Sequence, residues 1–227
     1  LGFDHDKRYL VIFQNSAELR PTGGFIGSFA LMRVHDGVME ELEVPGGGSY
    51  DVSGQSLARV VPPAPLLLAN DKWQFQDANY FPDFQRSAEK IRWFYQQSGG
   101  PSTDGVMALD PYVLSKLLEI IGPVDMTEEY GVTVDKDNVV DVLMEDIESK
   151  KDTTEPKKII ADLAPKLLEQ IFSSPDIDHV ALLSALDQLL SEKHLLLAFD
   201  DETLQENVEA LGWGGRQLQP TGDYLMI

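Results

Sequence analysis

The sequence predicts a single α/β domain with a central mixed β-sheet flanked by helices. Two observations carry this expectation. Apolar runs of strand length fill the first 44 residues and are joined by short turns, and from residue 84 onward strand-length runs alternate with helix-length segments that are apolar on one face. The 227 residues are 43% hydrophobic, enough to bury a substantial core and to exclude global disorder.

Taken in order, Tyr9–Phe13 is a nearly continuous apolar run and predicts an interior strand over 8–14. A second strand is expected at 25–34. Asp36-Gly37 then marks a hairpin turn, and the rough alternation of 38–44 predicts the antiparallel return. Gly46-Gly47-Gly48 breaks the sheet and opens a loop. It has no P-loop lysine and no helical pattern after it, so it does not read as a phosphate cradle. Residues 62–84, with Pro62, Pro63 and Pro65, read as irregular.

A helix is expected at 84–98 with Asp83 as its N-cap. Phe84, Ala88, Ile91 and Tyr95 form its stripe, Trp93 and Phe94 widen it, and Gly99-Gly100 ends it. Residues 104–109 predict a strand, and Asp110-Pro111 opens a helix over 111–121. Gly122-Pro123 stops that helix, and 124–126 reads as a returning strand that completes a β-α-β unit. Another helix is expected at 136–148, following Asp135.

The polar run Ser149 to Lys158 reads as a solvated connection rather than a domain boundary. Helices at 157–172 and 179–191 make a helical subregion over 157–192. A strand at 194–199, a helix at 201–211 and a strand at 223–227 complete the domain, which is taken as residues 1–227. The chain opens at Leu1 and reaches its first strand within ten residues, so it reads as a piece of a longer protein, cut at both ends.

Charge and composition exclude several classes of function. Lysine and arginine number 18 against 38 acids, a net charge of -20 that repels phosphate backbones, so no nucleic acid partner is expected. Cysteine is absent, which removes disulfides, zinc–thiolate sites and cysteine nucleophiles. No apolar run approaches the roughly 20 residues of a membrane span, so any membrane segment is expected outside this chain. The histidines at 5, 35, 179 and 194 lack metal-ligand spacing, and no serine-hydrolase or dinucleotide fingerprint occurs.

Two clusters remain. The first is the turn Glu18-Leu-Arg20-Pro-Thr22-Gly23-Gly24, where a guanidinium in a tight turn is either a ligand anchor or a brace for the preceding loop. The second is Asp77-Ala-Asn79-Tyr-Phe-Pro-Asp83, either a loop rich in Asx turns ending in a helix cap, or a rim that holds a polar or phosphorylated headgroup. The candidate ligand-binding residues are Arg20, Glu18, Thr22, Gly23, Gly24, Asp77, Asn79 and Asp83. Arg20 is expected to pair with a carboxylate of 77–83. Beside it, a pocket lined by strand 25–34 and helix 84–98 is expected to take an elongated apolar ligand; the competing account is that those aromatics fill a solid core.

The strings Tyr9–Asn15 and Glu18–Gly27 (ELRPTGGFIG), with Asp77–Phe84, Asp104–Pro111 and Asp223–Leu225, resemble the bacterial domain-of-unknown-function family 4012. The layout is more distantly similar to the LytR-CpsA-Psr family, which transfers glycan phosphates from a polyprenyl-pyrophosphate carrier to the cell wall. Arg20 stands where that family carries the arginine of its Arg-Ser-Asp-Thr motif. The sequence departs from the pattern at Val44-Pro45-Gly46-Gly47 and at 145–148 (Glu-Asp-Ile-Glu), so that only Arg20 remains of the basic cluster. The resemblance implies an extracytoplasmic domain at the bacterial cell surface, membrane-anchored in the full-length protein, with a lipid-linked glycan or wall polymer as partner. It leaves three readings: binding of a lipid-linked or anionic envelope ligand near Arg20, an active phosphotransferase with Mg²⁺ on carboxylates such as Asp77 or Asp83, or a non-catalytic protein-interaction module. Outside the transferase reading no cofactor is expected.

Overall fold

The computed structural model describes residues 5–55, 59–68, 70–150, 155, 157–174, 177–217 and 222. The chain begins as a meander of β1 (Lys7–Asn15), β2 (Phe25–His35) and β3 (Val38–Glu43). The turn between β2 and β3 places Asp36 and Gly37 at φ 48° and 78°, the left-handed geometry that an Asp-Gly hairpin supplies. After helices α1 (Ser49–Gln55) and α2 (Phe84–Gln97), strand β4 (Gly105–Leu109) enters on the far side of β1 and runs parallel to it, with Tyr9 opposite Gly105 and Phe13 opposite Leu109.

Next come α3 (Pro111–Ile121), β5 (Val124–Met126), α4 (Thr127–Tyr130), β6 (Val132–Val134), α5 (Val139–Ser149), α6 (Lys158–Ser173) and α7 (His179–Ser191). Strand β7 (Leu195–Phe199) pairs antiparallel with β4, and α8 (Glu202–Ala210) follows. The main sheet has the order β3-β2-β1-β4-β7, with β1–β4 its one parallel pairing. This is the mixed α/β sheet that the sequence predicts.

Alternation along β1 and β4 sorts the core into two faces. Leu10, Ile12, Val106 and Ala108 point to the face covered by α2 and the 73–81 segment, where Trp73, Phe75, Phe84, Ile91 and Phe94 are buried together. Tyr9 and Met107 point to the other face, toward Phe199 and Val208 of α8. A further cluster joins α3, α5, α6 and the β5–β6 pair through Leu118, Met126, Val134, Leu143, Ile159 and Leu163. That cluster has members on both sides of Ser149, so the polar run there is not a boundary between cores.

Four sequence expectations need correction. The glycine run leads into a helix, α1: Gly48 takes φ 65°, Asp51 accepts from the Gly47 N–H at 3.1 Å, and Val52 anchors the helix in the core. Strand β5 does not return to the main sheet. Gly122 turns the chain away at φ 85°, and β5 pairs with β6, burying Val124 and Met126 against the helices. Helix α5 begins at Val139 because Asp135 caps the turn before it, accepting from the N–H groups of Asp137 and Asn138. The aromatics of α2 are packed with Trp73 and Phe75 in the core, and the openings that they reach, Phe94 beside Trp73 and Phe75 and Tyr95 beside Phe29 and Leu31, do not have Arg20 on their walls. The expected strand at 223–227 lies outside the described residues.

Candidate functional site

The turn after β1 is built from its own side chains. Asn15 Oδ1 accepts from the Ala17 N–H at 3.1 Å, its carbonyl accepts from the Glu18 N–H at 3.1 Å, and Phe25 N–H donates to the Glu18 carbonyl at 2.9 Å. Gly23 sits at φ 124°, and a Cβ on Gly24 would lie 2.3 Å from the Asn15 carbonyl oxygen, so both positions require glycine. Beneath the turn, Asn79 Nδ2 donates to Gln14 Oε1 (3.0 Å), Thr22 Oγ1 (2.9 Å) and the Gly24 carbonyl (2.7 Å). Thr22 Oγ1 donates to Gln14 Oε1, and Gln14 Nε2 returns a bond to the Thr22 carbonyl. Asn79, Thr22 and Gln14 are all buried. They lock the turn to the 73–81 segment.

Arg20 meets the second cluster as expected. Its Nη2 lies 3.2 Å from Asp77 Oδ1, its Nη1 donates to the Leu19 carbonyl, and the guanidinium stacks 5.2 Å over the Phe25 ring. Asp77 is 5% exposed; its other oxygen accepts from Asn70 Nδ2 at 3.1 Å, and its carbonyl accepts from Trp73 Nε1. Asp83 caps α2, accepting from the Arg86 N–H, and also accepts from the Gln217 N–H. The structure therefore joins Arg20, Thr22, Gly23, Gly24, Asp77 and Asn79 into one brace and places Asp83 on a separate cap. Both Asp77 and Asp83 are engaged by protein donors, which does not fit a carboxylate pair held open for Mg²⁺. Among the described residues no group of three or more histidines and acids converges as a metal site.

One of the openings in the fold borders Phe25 and has mostly apolar walls. A cavity of about 250 Å³ sits over the carboxyl ends of β1 and β4, the pair of parallel strands. Phe13 and Leu109 form its floor, continuing the face of Tyr9 and Met107. Phe25, Gly27 and Ser28 of β2 close one side, and Leu114 of α3, Val140, Leu143, Met144 and Ile147 of α5 and Ile160 of α6 close the other. Of the candidate residues only Glu18 lines it; its Oε1 accepts from Asn15 Nδ2 at 3.1 Å. Asp110, also on the wall, accepts from the Tyr112 N–H and pairs with His194 at 2.7 Å.

Sequence reasoning missed Lys157. It stands just before the first turn of α6, where its N–H donates to the Gly46 carbonyl at 2.8 Å. Its stem crosses Gly48, where a Cβ would meet Lys157 Cγ at 2.9 Å, and its ammonium lies 3.8 Å from the place a Cβ on Gly27 would occupy. Burial pushes the Lys157 pKa below the ordinary lysine range, an effect that the charge of Glu18 only partly offsets. The Lys-Lys pair after Pro156, just before an amphipathic helix, was the available signal.

The fold and site thus define an α/β mixed-sheet domain with an apolar cavity at the carboxyl ends of its parallel strands, the position that open α/β sheets commonly use for ligands. Residues 4–147 match the family described as protein of unknown function (DUF4012), and the chain belongs to that family. No curated protein matches it. Among solved structures it is similar to TagV of B. subtilis, a LytR-CpsA-Psr family member, at 9% identity and a TM-score of 0.47, over 92% of this chain and 81% of that one. It is also similar to protein gbs0355 from Streptococcus agalactiae, at 11% identity and a TM-score of 0.47 over 91% and 72%. For Lin1025 protein from Listeria innocua the values are 10% and 0.42 over 92% and 78%. At these scores the likenesses carry neither site nor activity to this chain. No helix among the described residues is long and apolar enough to cross a membrane.

Proposed function

We propose that this domain is a cell-envelope binding module that takes the apolar part of an amphipathic ligand, a lipid-linked or anionic envelope molecule, into the cavity above β1 and β4. The observation that carries this reading is the cavity itself: about 250 Å³, walled by residues of β1, β2, β4, α3, α5 and α6, most of them apolar. The ligand's place is then next to Arg20 but not on it, because the Phe25 ring separates the guanidinium from the cavity. The sequence resemblance supports an extracytoplasmic setting at the bacterial surface, with the anchor outside this chain. For the transferase reading the engaged states of Arg20, Asp77 and Asp83 supply no free cationic cluster and no metal ligands.

The test is a titration of the purified chain with a short-chain prenyl phosphate, followed by quenching of intrinsic fluorescence, beside Val140→Trp, which puts an indole at the cavity mouth. Val140 is 40% exposed, so the substitution spares the core. Binding by the native chain and its loss in Val140→Trp is the expected result. Equal binding by both would place the ligand elsewhere, and no binding by either leaves the protein-interaction reading.

A further inference from the structure

Ser28 and Lys157 on the cavity wall lack a hydrogen-bonding side-chain partner among the described residues. Ser28 is 1% exposed, and its Oγ has no hydrogen bond although it lies on β2 at the lining. Lys157 has no carboxylate within ion-pair distance among the described residues, although its ammonium reaches the same wall beside Gly27. The other buried donors nearby are satisfied within the protein: Gln14 by Thr22, and Asn15 by Glu18. The carboxylates on the wall are engaged as well, Glu18 by Asn15, Asp110 by His194 and Tyr112, and Glu148 by contacts of its own. Two donors with no acceptor, one of them cationic, face a space whose walls are mostly apolar and whose carboxylates are engaged. Leaving the Ser28 hydroxyl buried and unmatched is costly unless an acceptor arrives, and the half-buried Lys157 puts a positive charge beside it.

The surroundings favour an acceptor with negative charge. Lys157 precedes the N-terminus of α6, a 16-residue helix whose dipole adds positive potential at that end. Gly27 and Gly48 clear the path of the lysine stem, and neither position carries a side chain that would fill the space between ammonium and strand. The arrangement has room for one compact head. It offers one ammonium and one hydroxyl, in contrast to the several cations that a pyrophosphate would need.

We infer that Lys157 and Ser28 together grip a single compact oxyanion, a carboxylate or a phosphate monoester, borne on the apolar chain that fills the cavity. The inference rests on the cavity-binding reading above and names the head chemistry of its ligand. Lys157 supplies charge and a donor, Ser28 a second donor, and Phe13, Leu109 and Leu143 receive the chain.

The experiment is calorimetric titration of the full 227-residue chain with octan-1-ol, octanoate, octyl phosphate and inorganic phosphate. The variants are Lys157→Met and Ser28→Ala, each checked for folding by circular dichroism. The native chain is expected to bind octanoate and octyl phosphate roughly tenfold or more tightly than the alcohol, as a charge-assisted contact would give. Lys157→Met should bring the anions to within about twofold of the alcohol while keeping alcohol binding, and Ser28→Ala should weaken the anions several-fold. If alcohol and anions bind the native chain equally, the grip is overturned and the cavity reading stands. If no octyl compound binds, the cavity reading fails and the inference with it. Inorganic phosphate binding as tightly as octyl phosphate would show a phosphate site without a chain and would likewise overturn the inference. Should Lys157→Met fail to fold, a Ser28→Ala chain that keeps its full anion preference overturns it.

Discussion

Asn79 uses one amide nitrogen to reach three acceptors, one on β1 and two in the turn after it, so the brace beneath Arg20 depends on a single side chain. Asn79→Ala removes the donor from the Thr22 hydroxyl and the Gly24 carbonyl in a buried setting. A loss of about 1–3 kcal/mol is expected, read as a lower urea midpoint at unchanged slope, with octyl phosphate binding retained. Arg20→Ala should act similarly, leaving the Asp77 carboxylate, 6% exposed at its side chain, with Asn70 as its remaining side-chain partner. Because Arg20 is itself 29% exposed, the cost is placed at about 1–3 kcal/mol, below that of a fully buried pair. If Arg20→Ala weakened ligand binding tenfold with stability unchanged, the division between brace and cavity would be wrong. Lys157 has the opposite sign. Its folded pKa lies below its ordinary value, so the folded chain holds that proton less strongly than the unfolded one, and stability rises with pH toward the lysine range. Lys157→Met should therefore melt higher than the native chain near neutral pH. The gap should narrow as pH rises toward that range. A variant that melts below the native chain at neutral pH would contradict the burial of an unpaired charge.

At the scale of elements, strands β1, β2, β4 and β7 were legible because each is an apolar run bounded by turn residues, β3 because its alternation follows Asp36-Gly37, and α2 and α3 because their caps, Asp83 and Asp110, precede clean stripes. What was not legible is instructive. Helix α1 is seven residues long, carries Gly54 and buries Ser49 and Val52, too little for a helical period to show. Strand β5 was read at 124–126 but its partner was not, since β6 has three residues, below the length at which alternation can be recognised. The brace could be read from Glu18–Gly24 and Asp77–Asp83 because its parts are contiguous. The cavity could not, since Phe13, Phe25, Leu109, Leu143 and Ile160 each read as ordinary core and only the fold brings them together. Lys157 sits in a run of polar residues that looked solvated. One prediction belongs here: Gly24→Ala should shift the hairpin between β1 and β2, because the new Cβ would collide with the Asn15 backbone at 2.3 Å. Hydrogen exchange should show faster exchange at Ala17, Glu18 and Phe25, whose amides that turn protects. Unchanged exchange there would mean the turn tolerates a side chain.

For the whole molecule, the net charge of -20 sets the field in which any anionic ligand must arrive. The long-range repulsion is screened by salt, whereas the contact with Lys157 inside the cavity is screened much less. Association of octyl phosphate is therefore expected to accelerate as ionic strength rises from about 0.01 M to about 0.1 M, where the Debye length falls from roughly 30 Å to 10 Å. A stopped-flow series would show this directly. Slower association with added salt would instead indicate a basic surface patch guiding the ligand. The exposed edge of the sheet fits the same acidic surface: β3 presents Glu40, Glu41 and Glu43, charges that discourage pairing with another chain.

The position of β1 between β2 and β4 has a consequence for the order of events in folding. Its antiparallel partner follows after a short turn, so the β1–β2 hairpin can close on the microsecond scale of local pairing. Its parallel partner arrives only after α2 has been made, so the Tyr9–Gly105 ladder waits on closure of a long loop. During synthesis the meander β1–β2–β3 emerges with the apolar edge of β1 open until β4 docks. That interval is when a nascent chain of this kind is most prone to self-association.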